Sequence, residues 1–202
     1  MRCIGLSTRE SNRTGRGRRW LSLRETVLFA MLGAIMFCSK IIMEALPNIH
    51  LLGMLTMTYT VVFRAKALIP LYIYVMLNGI FAGFAIWWIP YLYIWTVLWA
   101  LTMLLPQRMP RGWKRVIYPA LCCLHGLAFG VLYAPAQALA YGMSFEQMCV
   151  WIISGIPFDL LHGVGDLFAG MLILPLSERM RRLLGKPTYS APPENKKENE
   201  TA

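Results

Sequence analysis

The sequence predicts an all-α integral membrane protein, a bundle of six transmembrane helices with both ends in the cytoplasm. The first observation is composition: the 202-residue chain is 57% hydrophobic and only 15% charged, whereas soluble domains carry about 25% charged residues. The second is that charge is segregated, because long runs without ionisable side chains separate basic segments at the two ends. Apolar runs of about 20 residues between basic flanks are typical of helices that cross a bilayer.

Proline or basic residues separate six apolar stretches. Residues 1–23 form a basic cytoplasmic segment, residues 24–184 the membrane domain, and residues 185–202 a polar tail for which disorder is predicted. Breaks fall at Pro47, at the Arg64–Lys66 pair, at Pro90 and in the Pro106–Arg115 loop. The predicted spans are Glu25–Ala45, Ile49–Phe63, Ala67–Trp88, Pro90–Leu105, Val116–Ala140 and Pro157–Leu176.

The distribution of lysine and arginine predicts the orientation. Nineteen of the twenty fall before the first span, after the last span, or in the second-to-third and fourth-to-fifth connections, and the exception, Lys40, lies within the first span. Because loops rich in lysine and arginine stay on the cytoplasmic side, both termini are predicted to be cytoplasmic in a multi-pass protein of the cell membrane. The net charge of +10 is therefore assigned to anionic lipid headgroups and not to nucleic acid.

The start of the sixth span is predicted from Ser154-Gly155-Ile156-Pro157, with the serine as N-cap and the proline in the first helical turn. Met143–Ile153 is then a short amphipathic segment on the outer side, before the sixth helix. Whether this segment moves as a lid is left open.

Several kinds of chemistry lack their motifs. The chain has no GxxxxGK[ST] phosphate loop, no HExxH and no GxSxG, so we expect no enzymatic activity and no ATP-driven transport by the chain alone. Its five cysteines form no CxxC pair and no cluster with histidine, so no disulfide, metal or cofactor is predicted. The GxGD string ending at Asp166 matches intramembrane aspartyl proteases. However, Asp159 lies about 10 Å away along the same helix, too far for two facing carboxylates.

Asp159, His162 and Asp166 share one stripe of the sixth span, at spacing i, i+3 and i+7. Ionisable groups in a membrane helix are costly and usually mark a ligand or ion path. A structural polar network between helices is the alternative. Asp159 is placed in the first helical turn, where the helix dipole favours an anion. His125 in the fifth span fits a structural role and a ligand contact equally well.

Further candidates for solute binding lie near the outer face. Lys40 and Glu44, at i and i+4, either pair with each other or leave Lys40 to bind an anionic group of a solute. Asn48 and His50 flank the first outer turn, and Asn78 lies in the middle of the third span.

Aromatic residues crowd the outer turn between the third and fourth spans, where an aromatic belt at the membrane surface explains part of the density. Stacking on a planar solute is a second role that the same rings allow. The residues are Trp87, Trp88, Tyr91, Tyr93 and Trp95.

Two segments carry a resemblance to a known family. Ala30-Met31-Leu32-Gly33-Ala34 places small residues four apart in the first span, and Pro157-Phe158-Asp159-Leu160-Leu161-His162 opens the last span. With the six-span body, they resemble the substrate-binding S components of energy-coupling factor (ECF) vitamin transporters, which belong to the ABC importers. The resemblance implies that Ala30 and Ala34 pack on a transmembrane coupling protein and that two ATPase subunits supply the energy. It also implies that a vitamin-like small molecule binds near the outer face.

Two other functions compete with this interpretation, an autonomous small carrier or channel and, with less support, an intramembrane enzyme. The identity of the solute is not predicted by any of these patterns.

Overall fold

The computed structural model describes residues 21–45 and 50–186. These residues form eight α-helices joined by short turns, and no β-strand occurs among them. The basic segment before residue 21, Asn48, and the tail from Pro187 onwards lie outside the described residues. In chain order the helices are α1 (Leu23–Ile42), α2 (Leu52–Phe63), α3 (Leu68–Ala82), α4 (Tyr91–Leu104), α5 (Arg111–Leu127), α6 (Phe129–Tyr141), α7 (Phe145–Gly170) and α8 (Ile173–Leu183).

Five helical stretches in the described part of the chain are long and apolar enough to cross a membrane. Their surface is apolar as well, since Leu104, Leu139 and Phe145 are each at least 75% exposed. Such exposure is unfavourable in water and suits contact with lipid. The all-helical class is therefore confirmed, and the bundle is compatible with a multi-pass membrane protein. The five stretches are Leu23–Ile42, Leu52–Ala82, Ile86–Leu104, Arg111–Tyr141 and Phe145–Gly170.

The second stretch contains a sharp turn between α2 and α3. Arg64, at its centre, has a positive φ of 57°, and its side chain donates a hydrogen bond to the carbonyl oxygen of Met103 at the end of α4. Farther along α3, the carbonyl oxygen of Val75 accepts a hydrogen bond from Trp88, just before α4 begins. Helix α3 therefore begins beside the end of α4 and runs antiparallel to it. The sharp turn lies at the predicted break, Arg64–Lys66.

Helix α2 forms the centre of the bundle. Eleven of its twelve residues are buried, and it packs against α4, α5 and α8. The Phe29 and Phe63 rings meet edge to face with centroids 5.1 Å apart and join α2 to α1. The threonines of α2 avoid unpaired hydroxyls in part by bonding within the helix, as Thr60 does by donating to the carbonyl oxygen of Thr56. Because α2 is buried on all sides, it has no polar face.

The predicted start of the last long helix is wrong. Helix α7 begins ten residues earlier than the predicted cap, because Ser144 accepts a hydrogen bond from the Gln147 amide while the Gln147 side chain bonds back to the Ser144 amide. This capping box satisfies two free amides at once. Ser154 lies inside the helix, where its hydroxyl donates to the carbonyl oxygen of Val150, and Pro157 is also internal. Residues 145–153 therefore belong to α7 and form no separate lid.

The predicted end of the same span is also wrong. The chain turns at Met171 and Leu172, and α8 follows as a separate amphipathic helix. Ile173, Leu174 and Ser177 are its buried residues. The proline at 175 lies in the first turn of α8, where its missing N–H leaves no helical hydrogen bond unmade.

Glycines allow α5 and α7 to approach closely. A Cβ atom added at Gly170 would lie 2.7 Å from Pro119 Cα, and one added at Gly163 would lie 2.6 Å from the Leu127 side chain. Small residues permit this approach in lipid, where close van der Waals packing drives helix association. Gly126 of α5 and Gly130 of α6 are buried as well, and both lie against α7.

We expect Gly170→Ala to destabilise the bundle by about 1–3 kcal/mol, because the added methyl group meets backbone that cannot move aside. The matched control is Gly155→Ala on the same helix, where an added Cβ meets nothing within 4 Å. That variant should be neutral or stabilising by up to about 1 kcal/mol. Thermal unfolding of both purified variants in detergent measures the difference, and equal midpoints would contradict the close contact.

Candidate functional site

The stripe of Asp159, His162 and Asp166 faces the interior of the bundle, as the sequence predicted. It lies on the side of α7 that packs against α5 and α6. His162 is 4% exposed and Asp166 1%, whereas Leu160 and Val164 on the opposite side are about half exposed. The ionisable residues of α7, which are energetically unfavourable in lipid, therefore face away from it.

Asp166 lies where α2, α5 and α7 meet. A Cβ added at Gly53 of α2 would lie 3.0 Å from Asp166 Oδ2, and one added at Gly126 of α5 would lie 2.9 Å from the same atom. The Cys122 sulfur borders the same space, 3.1 Å from the Gly53 position. Neither carboxyl oxygen accepts a hydrogen bond from an N–H or O–H group, and the donor beside it is the weakly donating thiol of Cys122. The nearest charged-group partner is His162 Nε2, 3.6 Å from Oδ2, which is longer than a hydrogen bond.

Asp159 has a different environment from the one predicted. It lies in the middle of α7 and not in its first turn. Its Oδ1 accepts a hydrogen bond of 3.1 Å from the Gly130 amide, which is in the first turn of α6, just past the break at Ala128. A Cβ at Gly130 would collide with the carboxylate. The expected stabilisation by a helix N-terminus therefore comes from a neighbouring helix.

A cluster of aromatic rings adjoins His162. The Phe129 ring lies 4.9 Å from the His162 ring and 5.9 Å from the Trp95 ring. Tyr133 stacks on Phe129 at 6.1 Å and on Trp151 at 6.0 Å. This cluster joins α4, α6 and α7, and it places flat apolar surfaces beside the polar stripe.

His50 and His125 extend the same site. The His50 ring, just before α2, contacts the His162 ring at 5.8 Å, so this predicted residue is brought to the stripe. His125 is 2% exposed, its ring lies 5.7 Å from that of Trp95, and its Nε2 lies 3.2 Å from the carbonyl oxygen of Ile94. His125, Phe129 and Tyr133 follow one another at four-residue intervals, and this spacing was a signal available in the sequence.

Helix α3 contributes two further buried polar residues. Asn78 is fully buried, and neither its amide nitrogen nor its amide oxygen has a partner in the protein. One turn earlier, the Tyr74 hydroxyl is also without a partner, and the Tyr74 ring meets the Trp95 ring edge to face at 6.4 Å. The Trp95 indole nitrogen is likewise buried and unpaired. Asn78 was predicted from the sequence, whereas Tyr74 was not.

The outer aromatic residues divide into two roles. Trp88 is structural, because its indole donates a 2.8 Å hydrogen bond to the carbonyl oxygen of Val75 and its ring packs edge to face on Phe84. Trp87 contacts Tyr91 at 5.8 Å, and Tyr91 in turn contacts Trp95 at 6.3 Å. Tyr91 is therefore the predicted outer ring that borders the cluster.

Lys40 and Glu44 lie near the end of α1, and Glu44 is within electrostatic reach of Tyr91 at the border of the cluster. Their charged groups are 3.8 Å apart, with Glu44 65% exposed. The geometry favours the predicted ion pair between them. Asn48 lies outside the described residues, so its predicted role is neither supported nor opposed.

The site offers neutral hydrogen-bonding groups, one unpaired carboxyl group and aromatic faces. Among the described residues, no three His, Cys, Asp or Glu side chains lie close enough together to hold a metal ion. This combination suits a small polar solute with a ring. Comparison with known protein families, with curated proteins and with solved structures gave no match.

We expect Asp159→Ala to lower stability by about 1 kcal/mol, because the Gly130 amide at the start of α6 loses its acceptor. Asp159→Asn retains an acceptor oxygen and should lose less. Thermal unfolding of the two variants in detergent provides the comparison. Wild-type stability in Asp159→Ala would show that the contact contributes nothing to the fold.

Proposed function

We propose that this protein captures a small, vitamin-like solute within the membrane and is the substrate-binding subunit of an ECF-type importer. The observation that carries the proposal is the group of buried polar atoms without protein partners in the described bundle. Each such atom costs about 1–3 kcal/mol when it stays unpaired, and lipid supplies no substitute. A bound solute would provide the missing partners. The atoms around the aromatic cluster belong to Tyr74, Asn78, Trp95, His125 and His162.

The proposed topology has six crossings with both termini in the cytoplasm. Its support is that basic residues gather at one end of the bundle. Lys66 pairs with Glu25 at the start of α1, and Arg111 pairs with Glu178 of α8. Arg181 of α8 donates to the carbonyl oxygen of Val61 at the end of α2. A single basic end matches the cytoplasmic side of membrane proteins.

The proposed energy source is a partner assembly, because the chain has no phosphate loop. The exposed side of α1 offers a surface for a transmembrane coupling protein. Ala30 and Ala34 are exposed, while Phe29, Leu32, Gly33 and Met36 form the buried face of the same helix. Small residues on a lipid-facing surface allow another helix to approach closely.

Native mass spectrometry of the protein purified gently from its own membranes tests the proposal. We expect a bound small molecule of vitamin-like mass, together with a coupling protein and two ATPase subunits. His162→Ala should reduce the bound fraction strongly, with a loss in affinity of about tenfold, or 1.4 kcal/mol, because the residue touches both the polar stripe and the rings. Leu160→Ala, on the lipid-facing side of the same helix, is the matched control.

An empty protein without partners would contradict the importer. Solute uptake by the chain alone in liposomes without ATP would instead support the autonomous carrier. Equal binding by His162→Ala and Leu160→Ala would show that this face of α7 does not contribute to solute binding.

Ala34→Leu separates partner docking from solute capture. The larger side chain should block close approach of the coupling protein and abolish uptake, while solute binding stays unchanged because residue 34 faces away from the bundle. The control is Ala120→Leu, an equally exposed position on α5. Uptake is measured in whole cells and binding on the purified protein. Normal uptake by Ala34→Leu would exclude this face of α1 as the docking surface.

A further inference from the structure

The carboxyl group of Asp166 is the most completely enclosed acidic group in the described bundle, and its surroundings differ from those of Asp159 on the same helix. Asp159 accepts a hydrogen bond from the first turn of α6. Asp166 has no N–H or O–H donor on either oxygen, and only the weak thiol donor of Cys122 lies beside it. Because an ionised carboxylate without donors or a counter-charge is strongly disfavoured in an apolar interior, the two acids require different explanations.

No fixed positive charge neutralises Asp166. The ion pairs of the described residues give it no lysine or arginine partner, and its contact with His162 is 3.6 Å long. From α2 it faces Gly53, which has no side chain. From α5 it faces Gly126 and the thiols of Cys122 and Cys123. His50, ahead of α2, contacts the His162 ring at 5.8 Å, and His125 of α5 contacts the ring of Trp95.

The packing around the carboxyl group also limits what could bind to it directly. A Cβ atom added at Gly53 or Gly126 would lie only 3.0 or 2.9 Å from Oδ2, so that even a methyl group on either glycine would crowd the carboxyl group. A solute of several atoms does not fit between these helices. The species that neutralises the oxygen must be very small.

We propose that Asp166, with His162 beside it, forms a proton-binding site at the crossing of α2, α5 and α7, and that Asp166 carries its proton at neutral pH in the folded protein. The protonated group is uncharged and can pack between the glycines. Loss of the proton would place a bare negative charge at the contact of three helices and weaken it. This site stands independently of the proposed importer function.

Asp159 and Asp166 are the only two aspartates in the chain, so a signal from labelled aspartate can be assigned by replacing either one. Infrared spectra of the full-length protein, labelled with carbon-13 aspartate, should contain the C=O stretch of a protonated carboxyl group at neutral pH. The band should shift with the label. It should persist in Asp159→Asn, in which Asp166 is the one aspartate left, and vanish in Asp166→Asn.

Absence of a labelled protonated-carboxyl band at neutral pH would overturn the proposal. A band that is lost in Asp159→Asn and kept in Asp166→Asn would also overturn it, by assigning the proton to the other aspartate. If Asp166→Asn did not fold, the labelled Asp159→Asn protein would still decide the question.

Thermal unfolding provides a second, independent readout. An aspartate in the unfolded chain ionises near pH 4. If the folded protein keeps its proton to higher pH, the unfolding constant should rise by as much as about tenfold per pH unit between pH 4 and the midpoint of the infrared titration. Above that midpoint this dependence should level off.

The expected sign follows from the same linkage: protonated Asp166 stabilises the fold at low pH, and this contribution is lost as pH rises. Asp166→Asn, which is uncharged at every pH, should lack the slope and be more stable than the wild type at neutral pH. Glu178→Gln, at the far basic end of the bundle, should retain the wild-type slope. Equal slopes in the wild type and Asp166→Asn would overturn the proposal.

Discussion

The close approach of α5 and α7 determines where the polar residues of α7 can lie in the site. Gly126, Gly163 and Gly170 remove side chains along this contact, so the two helices come together over several turns. With α7 held in this way, one stripe of its residues must face inward at successive depths. Asp159 then meets the start of α6, His162 meets the ring of Phe129, and Asp166 reaches the crossing with α2. A larger side chain at one of these glycines would move all three.

The break at Ala128 has a clear physical role in this arrangement. A continuous helix would offer no free amides in the middle of the bundle. Because α6 begins just after residue 128, its first turn presents the Gly130 amide to Asp159. The acid is thus accommodated without a lysine or arginine. Buried atoms of Tyr74, Asn78, Trp95, His125 and His162 have no such partner among the described residues, which is why we propose a ligand for them and a proton for Asp166.

Periodicity and charge predicted the helical class, the turn at Arg64–Lys66 and the inward-facing stripe, because these depend on residues close together in sequence. The start of α7 was missed although its signal was local. Ser144 and Gln147 form a capping box, and this outweighed the proline at 157, which a membrane helix tolerates inside. The spacing of Lys40 and Glu44 allowed either an ion pair or solute binding, and their charged groups lie 3.8 Å apart.

The aromatic cluster lay beyond sequence reasoning for a different reason. Trp95, Phe129 and Trp151 come from three helices, and no local pattern states which rings meet across a bundle. The four-residue spacing of His125, Phe129 and Tyr133 indicated one shared face of α5 and α6 but did not predict which helix packs against that face. Likewise, burial of Tyr74 beside Trp95 depends on how α3 rotates against α4.

The two proposed surfaces lie on different parts of the molecule, and this separation follows from the packing of α1. That helix packs mainly on α3 and turns Ala30 and Ala34 outward, while the solute site is built from the inner faces of α3 to α7 and from His50. A protein docked on the exposed face of α1 would cover none of the polar atoms assigned to the solute. Any influence of such a partner on the site would pass mainly through α3, the principal packing partner of α1. On one side, the Gly33 contact with Ile73 joins α3 to α1, and on the other, Tyr74 of α3 meets the Trp95 ring of the site. Helix α3 is therefore the main element through which docking and solute capture could affect each other.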